Sequence, residues 1–300
     1  MFRTRKQKKQ LENDLVMMTK SNSRIADIFS RLLRNKLGML GFIIIIALLI
    51  LVIFAPLFTN YAYDIQNFGE RFLYPSKEHL LGTDNFGRDL WTRLLYGGRI
   101  SLLVSLIAIL ISNAVGIVLG AMAGYFGGRL DNVITRILDV IMAIPSLLLA
   151  IAVSSALGGG PMNTALAIAI AGIPYSARVL RSAILTIKGN EYIEAAAATG
   201  STNARIIFKH VLPNTIAPLI VSATLDIGGN IMAISGLSFV GLGVQPPTPE
   251  WGSILSAGRE FLRDFPPIVI FPAIAIGLTL FGFNILGDAL RDALDPRLKD

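Results

Sequence analysis

This chain has few residues of the types that catalyse reactions or bind metals, and the spacing of those residues limits the functions open to the protein. The chain has 300 residues, no cysteine and two histidines, His79 and His210, which lie far apart. Disulfides and thiolate metal sites are therefore excluded, and nothing indicates a metal centre. No carboxylate pair, Ser-His-Asp set or G-x-x-x-x-G-K-[ST] phosphate loop occurs at a usable spacing. The sequence predicts a non-catalytic chain that binds no metal or cofactor itself.

Asp226 is the acidic residue that stands deepest inside an apolar stretch. It lies 13 residues after Pro213, so a helix that begins there places the carboxyl group near its middle. If the stretch spans a membrane, an ionisable group at that depth is costly and is a candidate functional site. Asp226 could line a path through the membrane and hold an ammonium group or another cation. It could equally accept hydrogen bonds from a neighbouring helix.

The elements that must position these residues are long apolar blocks. Hydrophobic residues make up 53% of the chain and charged residues 16%, whereas a soluble domain has about 25% charged residues. Four stretches of 22 to 38 residues have no charge, at 37–58, 100–128, 140–177 and 265–287. About 20 apolar residues cross a bilayer as a helix, which satisfies its own backbone hydrogen bonds. The sequence predicts an all-α integral membrane protein.

Six spans fit these blocks, and an even number places both termini on one side. The predicted spans are about 37–58, 100–125, 137–156, 162–185, 213–237 and 267–287. With the N-terminus inside, the inner segments hold 20 of the 27 lysines and arginines, and the outer segments hold 7. Because inner loops carry the excess of basic residues, we expect a multi-pass protein of the cell membrane with both termini cytoplasmic.

The charge pattern also predicts the order of segments. Ten lysines and arginines precede Leu37, which indicates a cytoplasmic tail that contacts membrane lipids rather than nucleic acid. The predicted segments are a basic tail (1–36), a first anchor helix (37–58), an extracytoplasmic loop (59–99), a core domain with five spans (100–290) containing a cytoplasmic loop (188–212), and a C-terminal cytoplasmic tail (291–300).

Glycines and prolines mark special points within the spans. Four glycines spaced four apart form one face of the second span, which predicts close packing against another helix: Gly116, Gly120, Gly124 and Gly128. Pro145 and Pro174 should kink the third and fourth spans. Asp139 is expected to pair with Arg136 at i, i+3.

The sequence of the cytoplasmic loop predicts a helix, a break and a second helix. EYIEAAAAT, from Glu191, is a strong helix former, and Gly200 interrupts it. Ser201 is a candidate N-cap for the second helix. There, four residues at i, i+3, i+4 and i+7 predict an apolar stripe: Ala204, Ile207, Phe208 and Val211. Such a helix suits either a lipid surface or a groove in another protein.

Four motifs resemble one family of transport proteins. Glu194-Ala195-Ala196, Gly200 and Leu212-Pro213 resemble the EAA motif of binding-protein-dependent ABC importer permeases, although His210 replaces the apolar residue usual there. Three further stretches resemble the dipeptide, oligopeptide and nickel branch: LGTDNFGRDLWTRLLYGGRISL from Leu81, SFVGLGVQPPTPEWGSIL from Ser238, and LGDALRDALDPRLK near the C-terminus. The resemblance covers roughly residues 25–300 and is greatest to the C-type member of a heterodimeric permease pair.

The resemblance implies a type I ABC importer permease fold and a set of partners. In that family the loop is a coupling helix seated on the ATPase subunit. It therefore implies ATPase contacts at Glu194, Ala195, Ala196, Gly200, Arg205, Leu212 and Pro213. Arg205 could equally meet a lipid headgroup, and Glu194 could be solvated or pair with Lys188 or Arg205. The implied partners are a homologous second permease, two ATPases that bind ATP and Mg²⁺, and an extracytoplasmic solute-binding protein.

The implied function is half of a translocation path for di- or oligopeptides, driven by ATP through alternating access. Nickel or a metal chelate is the alternative cargo within the same branch. The rival class is a self-sufficient secondary transporter or channel. That class would need intramembrane acids or histidines, for which only Asp226 qualifies, and would often show inverted repeats.

Outer residues could form a gate or contact the binding protein. The candidates are Asp84, Arg88, Asp89 and Trp251. Alternatively, Asp84-Asn85-Phe86-Gly87 is a capped turn, with Arg88 and Asp89 as its local charge partners.

Overall fold

The structure, a computed structural model, describes residues 30–32 and 35–294. Within these residues the regular elements are all helices, apart from one isolated bridge between Thr83 and Asp89. This confirms the predicted all-α class. The predicted basic tail, 1–36, and the predicted C-terminal tail, 291–300, lie largely outside the described residues.

Nine helices of eight or more residues are found in the described part of the chain. They are α1 (Lys36–Ile53), α2 (Leu90–Phe126), α3 (Gly128–Met142), α4 (Ser146–Leu157), α5 (Pro161–Ile187), α6 (Glu191–Ala198), α7 (Ala217–Phe239), α8 (Trp251–Gly258) and α9 (Pro267–Leu294). Shorter turns of helix are Ala55–Phe58, Phe68–Glu70, Asn203–Ile206, Ile207–Val211, Leu212–Thr215 and Arg259–Phe261.

Five of the helices described, α1, α2, α5, α7 and α9, are long and apolar enough to cross a membrane. A sixth span results if α3 and α4 count as one, since the two are bent by 85° at the break between them. Pro145 causes this break: it has no N–H to donate and disfavours helical geometry in the preceding residue. α5, in contrast, continues through Pro174 without interruption.

α2 begins ten residues before the predicted span, at Leu90 rather than near residue 100. Two arginines that suggested a loop are accommodated by backbone acceptors. Arg93 Nη1 donates to the Tyr63 carbonyl at 3.1 Å, and Arg99 donates to the carbonyls of Val52 and Ile53 at 2.7 and 2.6 Å. Arg99 therefore joins α2 to the end of α1.

The glycine face of α2 packs directly against α5. A Cβ added to Gly116 would lie 2.5 Å from Ser176 Cβ, and one added to Gly120 would lie 2.6 Å from the Ala177 carbonyl oxygen. The predicted close packing is therefore present at Gly116, Gly120 and Gly124, where it excludes side chains. For Gly128 the prediction is wrong, because α2 ends at Phe126 and nothing lies within 4 Å of a Cβ added to Gly128. The turn between α4 and α5 has Gly158 and Gly160 at positive φ.

α1 packs against the last helix, α9. A Cβ at Gly38 would lie 2.5 Å from Ala289 Cβ, and a Cβ at Gly41 would lie 2.8 Å from the Gly282 carbonyl oxygen. Small residues therefore bring the first and last helices described into close backbone contact.

Candidate functional site

The sequence-predicted residues fall in three separate places. The Glu194 loop, residues 188–216, follows the end of α5. The Asp84 segment, residues 59–89, precedes α2 and lies at its opposite end, because Tyr125 near the end of α2 contacts the Glu194 loop. With 37 residues in α2, a rise of 1.5 Å per residue separates the two regions by roughly 55 Å. Asp226 lies in α7, between them.

Three buried apolar residues seat the Glu194 loop on the helices. Ile193, Ile206 and Val211 pack with Leu180 and Ile184 of α5. The Tyr125 hydroxyl of α2 also donates to Asn203 Oδ1 of the loop at 3.0 Å. These contacts hold the loop and leave its other face available.

The motif residues form that other face. Five are exposed, while Ala196 and Leu212 are partly buried; the exposed ones are Glu194, Ala195, Gly200, Arg205 and Pro213. Glu194 has no ion pair within the described residues, so the predicted local pair with Lys188 or Arg205 does not form. Gly200 has φ +79° and nothing within 4 Å of an added Cβ. It turns the chain in a conformation that favours glycine and faces open space.

The predicted stripe of the second helix is partly wrong. Ala204 is exposed and Phe208 is 72% exposed, whereas Ile206 is buried. The reason is a π-helical turn over Ile207–Val211, which changes the spacing on which the prediction relied. The N-cap is Thr202 rather than Ser201, and its hydroxyl accepts from the Arg205 N–H at 3.4 Å.

Asp139 also has a partner different from the predicted Arg136. It forms an ion pair with Arg178 of α5. A parallel pair joins Asp131 to Arg181, through Nε–Oδ1 and Nη2–Oδ2 hydrogen bonds of 2.6 and 2.7 Å. The two arginines therefore fix the amphipathic helix α3 to α5.

Asp226 lines a cavity of about 510 Å³ between α2, the α3–α4 break, α5 and α7. Its polar lining consists of Ser112, Ser146, Tyr175, Ser176, Asp226 and Asn230. The rest of the wall is mainly aliphatic, with Ile109, Met142 and Ile168 among its members. A volume of this size falls in the range of small-molecule sites, about 300–1,000 Å³.

The outer candidates are buried in a local network of hydrogen bonds. Asp84 accepts from the N–H groups of Phe86 and Arg88 at 2.8 and 3.0 Å, and from Arg88 Nε at 2.7 Å. Asp89 caps α2 by accepting from the Thr92 N–H at 2.7 Å, and its second oxygen lies 2.9 Å from His79 Nδ1. The predicted capped turn is therefore present.

Burial limits what these residues can touch. Asp84, Arg88 and Asp89 are 2%, 6% and 4% exposed. A protein that docks on the surface of this arrangement does not reach them, so the predicted direct contact with a binding protein is not available here. A role in the shape of the outer end is compatible with the geometry.

Trp251 is also buried, and sequence reasoning missed its neighbour Glu250. The indole Nε1 of Trp251 donates to the Leu94 carbonyl at 2.8 Å, and the ring fills the space left by Gly98. Glu250 is fully buried and accepts four hydrogen bonds, from the hydroxyls of Ser101 and Ser238 and the N–H groups of Gly252 and Ser253. The available signal was an acidic residue at the start of a helix with a serine three residues later.

No cluster of three or more His, Asp or Glu suited to a metal ion occurs within 30–32 and 35–294. The arrangement offers an exposed loop, a mid-helix cavity with one carboxylate, and a buried hydrogen-bond network at the Asp84 end. The cavity is large enough to hold a small solute.

Comparisons with known proteins give consistent matches. The model of the family described as binding-protein-dependent transport system inner membrane component matches residues 116–300, and that of the N-terminal TM domain of oligopeptide transport permease C matches residues 23–75. The dipeptide transport system permease protein DppC of Alkalihalophilus pseudofirmus is 47% identical over 271 residues, covering 90% of this chain and 89% of that protein.

Two further relatives show similar coverage. The oligopeptide transport system permease protein OppC of Bacillus subtilis is 39% identical, covering 93% of this chain and 92% of its own. The glutathione transport system permease protein GsiD of Escherichia coli is 40% identical, covering 91% and 90%.

Solved structures share the fold. An inward-facing MetNI methionine ABC transporter matches with a TM-score of 0.56 at 18% identity, covering 67% of this chain and 96% of that chain. An amino acid ABC transporter with histidines matches with a TM-score of 0.50 at 19% identity, covering 66% and 93%.

Proposed function

This chain belongs to the family of binding-protein-dependent transport system inner membrane components, and from that premise we propose that it forms half of the translocation path of an ATP-driven importer for peptides. The family predicted from the motifs is confirmed, as is the type I importer permease fold. The chain is a multi-pass membrane permease subunit.

The observation that carries the peptide assignment is the agreement among the relatives. Proteins named for dipeptide, oligopeptide and glutathione transport are 47%, 39% and 40% identical over 90%, 93% and 91% of this chain. All three names denote short peptides. Nickel or a metal chelate is not favoured by these relatives, and neither is a self-sufficient secondary transporter or channel.

The remaining subunits follow from what this sequence lacks. It has no G-x-x-x-x-G-K-[ST] phosphate loop, so we propose that ATP and Mg²⁺ bind to two partner ATPases. A homologous second permease supplies the other half of the path. An extracytoplasmic binding protein delivers the peptide.

The coupling to ATP hydrolysis is assigned to the Glu194 loop. Its exposed face presents Glu194, Ala195, Gly200, Arg205 and Pro213, while Ala196 and Leu212 lie partly beneath it. Three buried isoleucine and valine side chains join this loop to α5. Movement of a docked ATPase would therefore be transmitted to a membrane-spanning helix rather than absorbed by a free loop.

The orientation follows from the same assignment. Docking on an ATPase requires the Glu194 loop to be cytoplasmic, which agrees with the excess of basic residues on that side. Both termini are then cytoplasmic, and the Asp84 segment is extracytoplasmic. There Asp84, Arg88, Asp89 and Trp251 support the outer gate from beneath the surface.

The first experiment is purification of the tagged chain from its native membranes in mild detergent, with mass spectrometry of what accompanies it. We expect two ATPases, a second six-span permease and a binding protein. Uptake of a labelled dipeptide into proteoliposomes made from that complex should require ATP. Recovery of this chain alone as a stable oligomer, with uptake driven by an ion gradient, would contradict the proposal.

A further inference from the structure

Among the described residues, Asp226, the acid of the cavity, lacks the hydrogen-bond and ion-pair partners that five other acids have. Asp84, Asp89, Asp131, Asp139 and Glu250 each accept hydrogen bonds or pair with a cation. Asp226 has no donor within hydrogen-bond distance in residues 35–294. Because an isolated charge inside a membrane protein is costly, an unpaired carboxylate on the wall of a cavity marks a pathway for something it can bind.

Two serine hydroxyls of the cavity present acceptor lone pairs to it, beside Ser146, Tyr175 and Asn230, which can donate or accept. The Ser112 hydroxyl donates to the Ile109 carbonyl at 3.1 Å, and the Ser176 hydroxyl donates to Asn113 Oδ1 at 2.8 Å. Each hydroxyl proton is directed elsewhere, so the oxygen lone pairs are left for the cavity. No lysine, arginine or histidine is among the lining residues described. One carboxylate without a partner and no cationic side chain in this lining favour a positively charged hydrogen-bond donor as the occupant.

A metal ion fits this cavity poorly. Divalent metals take four to eight ligands, mostly from several carboxylates, imidazoles or thiolates. The cavity has one carboxylate, and no group of three acidic or histidine residues occurs among the described residues. A primary ammonium has three donors in a compact head. One carboxylate with hydroxyl and amide oxygens around it can satisfy such a head.

We propose that Asp226, with Ser112, Ser176 and Asn230, forms a transit site for the primary ammonium group of the imported solute, the amino end of a peptide. The aliphatic remainder of the wall faces the peptide's side chains. This inference rests on the proposed function and adds to it the chemical group that the membrane path recognises. The path thereby selects for a free amine independently of the binding protein.

Because the chain has no cysteine, the cavity's charge preference can be measured without transport. Gly229 lines the cavity one helical turn from Asp226, and nothing lies within 4 Å of an added Cβ there. In the purified complex, Gly229→Cys should react faster with an ethylammonium methanethiosulfonate than with the ethylsulfonate reagent. Gly189→Cys, in the Glu194 loop with the same free space, gives the reference ratio.

We expect the Gly229→Cys ratio to exceed the Gly189→Cys ratio by about tenfold, since a unit charge near 6 Å still attracts appreciably at intermediate dielectric. Adding Asp226→Asn should remove the difference. An equal ratio at the two cysteines, or a preference that survives Asp226→Asn, would overturn the proposed site.

Uptake into proteoliposomes is the second test of the ammonium site. Asp226→Asn should lower ATP-dependent uptake of a dipeptide at least tenfold, while Asp226→Glu retains most of it. If Asp226 only accepted a hydrogen bond from a neighbouring helix, Asp226→Asn would keep an acceptor oxygen and retain uptake. Only Asp226→Ala would then lose uptake. Thr224→Val is the matched control, because Thr224 bonds to its own helix at Ile220 and does not line the cavity.

Different results would reject peptide import and the ammonium site. No dipeptide uptake by the wild-type complex, with the cysteine ratios as expected, rejects peptide import and leaves the ammonium site in place. Normal dipeptide uptake by both wild type and Asp226→Asn rejects the ammonium site and leaves peptide import in place.

Discussion

The guanidinium of Arg181 donates to both carboxylate oxygens of Asp131, at 2.6 and 2.7 Å, although fifty residues separate them. This is a bidentate pair, the geometry in which arginine binds a carboxylate most specifically. It joins α3 to α5 at the end near the Glu194 loop. α3 is followed by the break at Pro145, so the pair fixes the first half of the broken span to α5.

Arg181→Ala should destabilise the chain more than Arg178→Ala. The side chains of Arg181 and Asp131 are 30% and 15% exposed, whereas those of Arg178 and Asp139 are 45% and 39% exposed. Exposed pairs contribute about 0–1 kcal/mol, so Arg178→Ala should change the Tm in detergent by roughly 0–3 °C. A double-mutant cycle of Asp131→Asn with Arg181→Gln measures the coupling free energy between the two side chains. A coupling free energy no larger than that of Asp139→Asn with Arg178→Gln would refute this ranking.

Gly200→Glu should leave the chain in the membrane but abolish peptide uptake. The added side chain points into open space in this subunit, and its cost in left-handed conformation is about 1–2 kcal/mol. Uptake should therefore be lost because the ATPase cannot dock. The measurement is ATP-dependent dipeptide uptake, together with the amount of ATPase recovered with the tagged chain.

Gly189→Glu is the control for the substitution at Gly200. Gly189 lies in the same loop, also with nothing within 4 Å of an added Cβ, and brings the same charge outside the motif. It should retain uptake. Normal uptake by Gly200→Glu, or equal loss in both variants, would remove the coupling role from Gly200.

Gly120→Val should prevent close approach of α2 and α5. Even the first carbon of the new side chain would lie 2.6 Å from the Ala177 carbonyl oxygen, and overpacking of this kind costs about 1–3 kcal/mol. Gly277→Val in α9 is the comparison, because nothing lies within 4 Å of its added Cβ. The measurement is the Tm of each purified variant, and equal values would show that the α2–α5 contact is not tight.

Glu250→Gln should lower the stability of the protein, although the new side chain has nearly the same shape as the old one. The amide replaces one acceptor oxygen by a donor that faces either Ser101 and Gly252 or Ser238 and Ser253. A buried donor without an acceptor costs about 1–3 kcal/mol. The Tm in detergent should fall accordingly. An exposed acid at the same end, Glu260→Gln, should leave it unchanged, and a Glu250→Gln variant as stable as wild type would contradict the network.

The sequence predicted features that depend on local pattern. The helical class, the glycine contact of α2, the bend at Pro145 and the capped turn at Asp84 all follow from spacing and backbone restrictions within a few residues. The EAA motif gave the family because its residues occur together in a recognisable order.

Features that depend on distant partners were missed. Asp139 was paired with Arg136 because that neighbour is visible in the sequence, whereas Arg178 becomes adjacent only when α3 packs on α5. The predicted second span begins too late because it follows the charge-free block, which starts at residue 100, directly after Arg99. Its acceptors are carbonyls at the end of α1, more than forty residues earlier. The π-turn at Ile207–Val211 shifted the apolar stripe, and no simple periodicity reveals such a turn.

The contact between α1 and α9 sets an order for biogenesis. α1 ends at Ile53 and α9 begins at Pro267, so a ribosome working at 5–20 residues per second needs roughly 10–40 s to make the intervening chain. During that time Gly38 and Gly41 of α1 lack the α9 residues that they contact in the folded subunit. α1 has the highest mean hydropathy of the candidate spans, so it can remain in the bilayer before α9 is made. The α1–α9 contact can form only after α9 has been made, and a chain truncated before α9 would leave Gly38 and Gly41 without their partner residues.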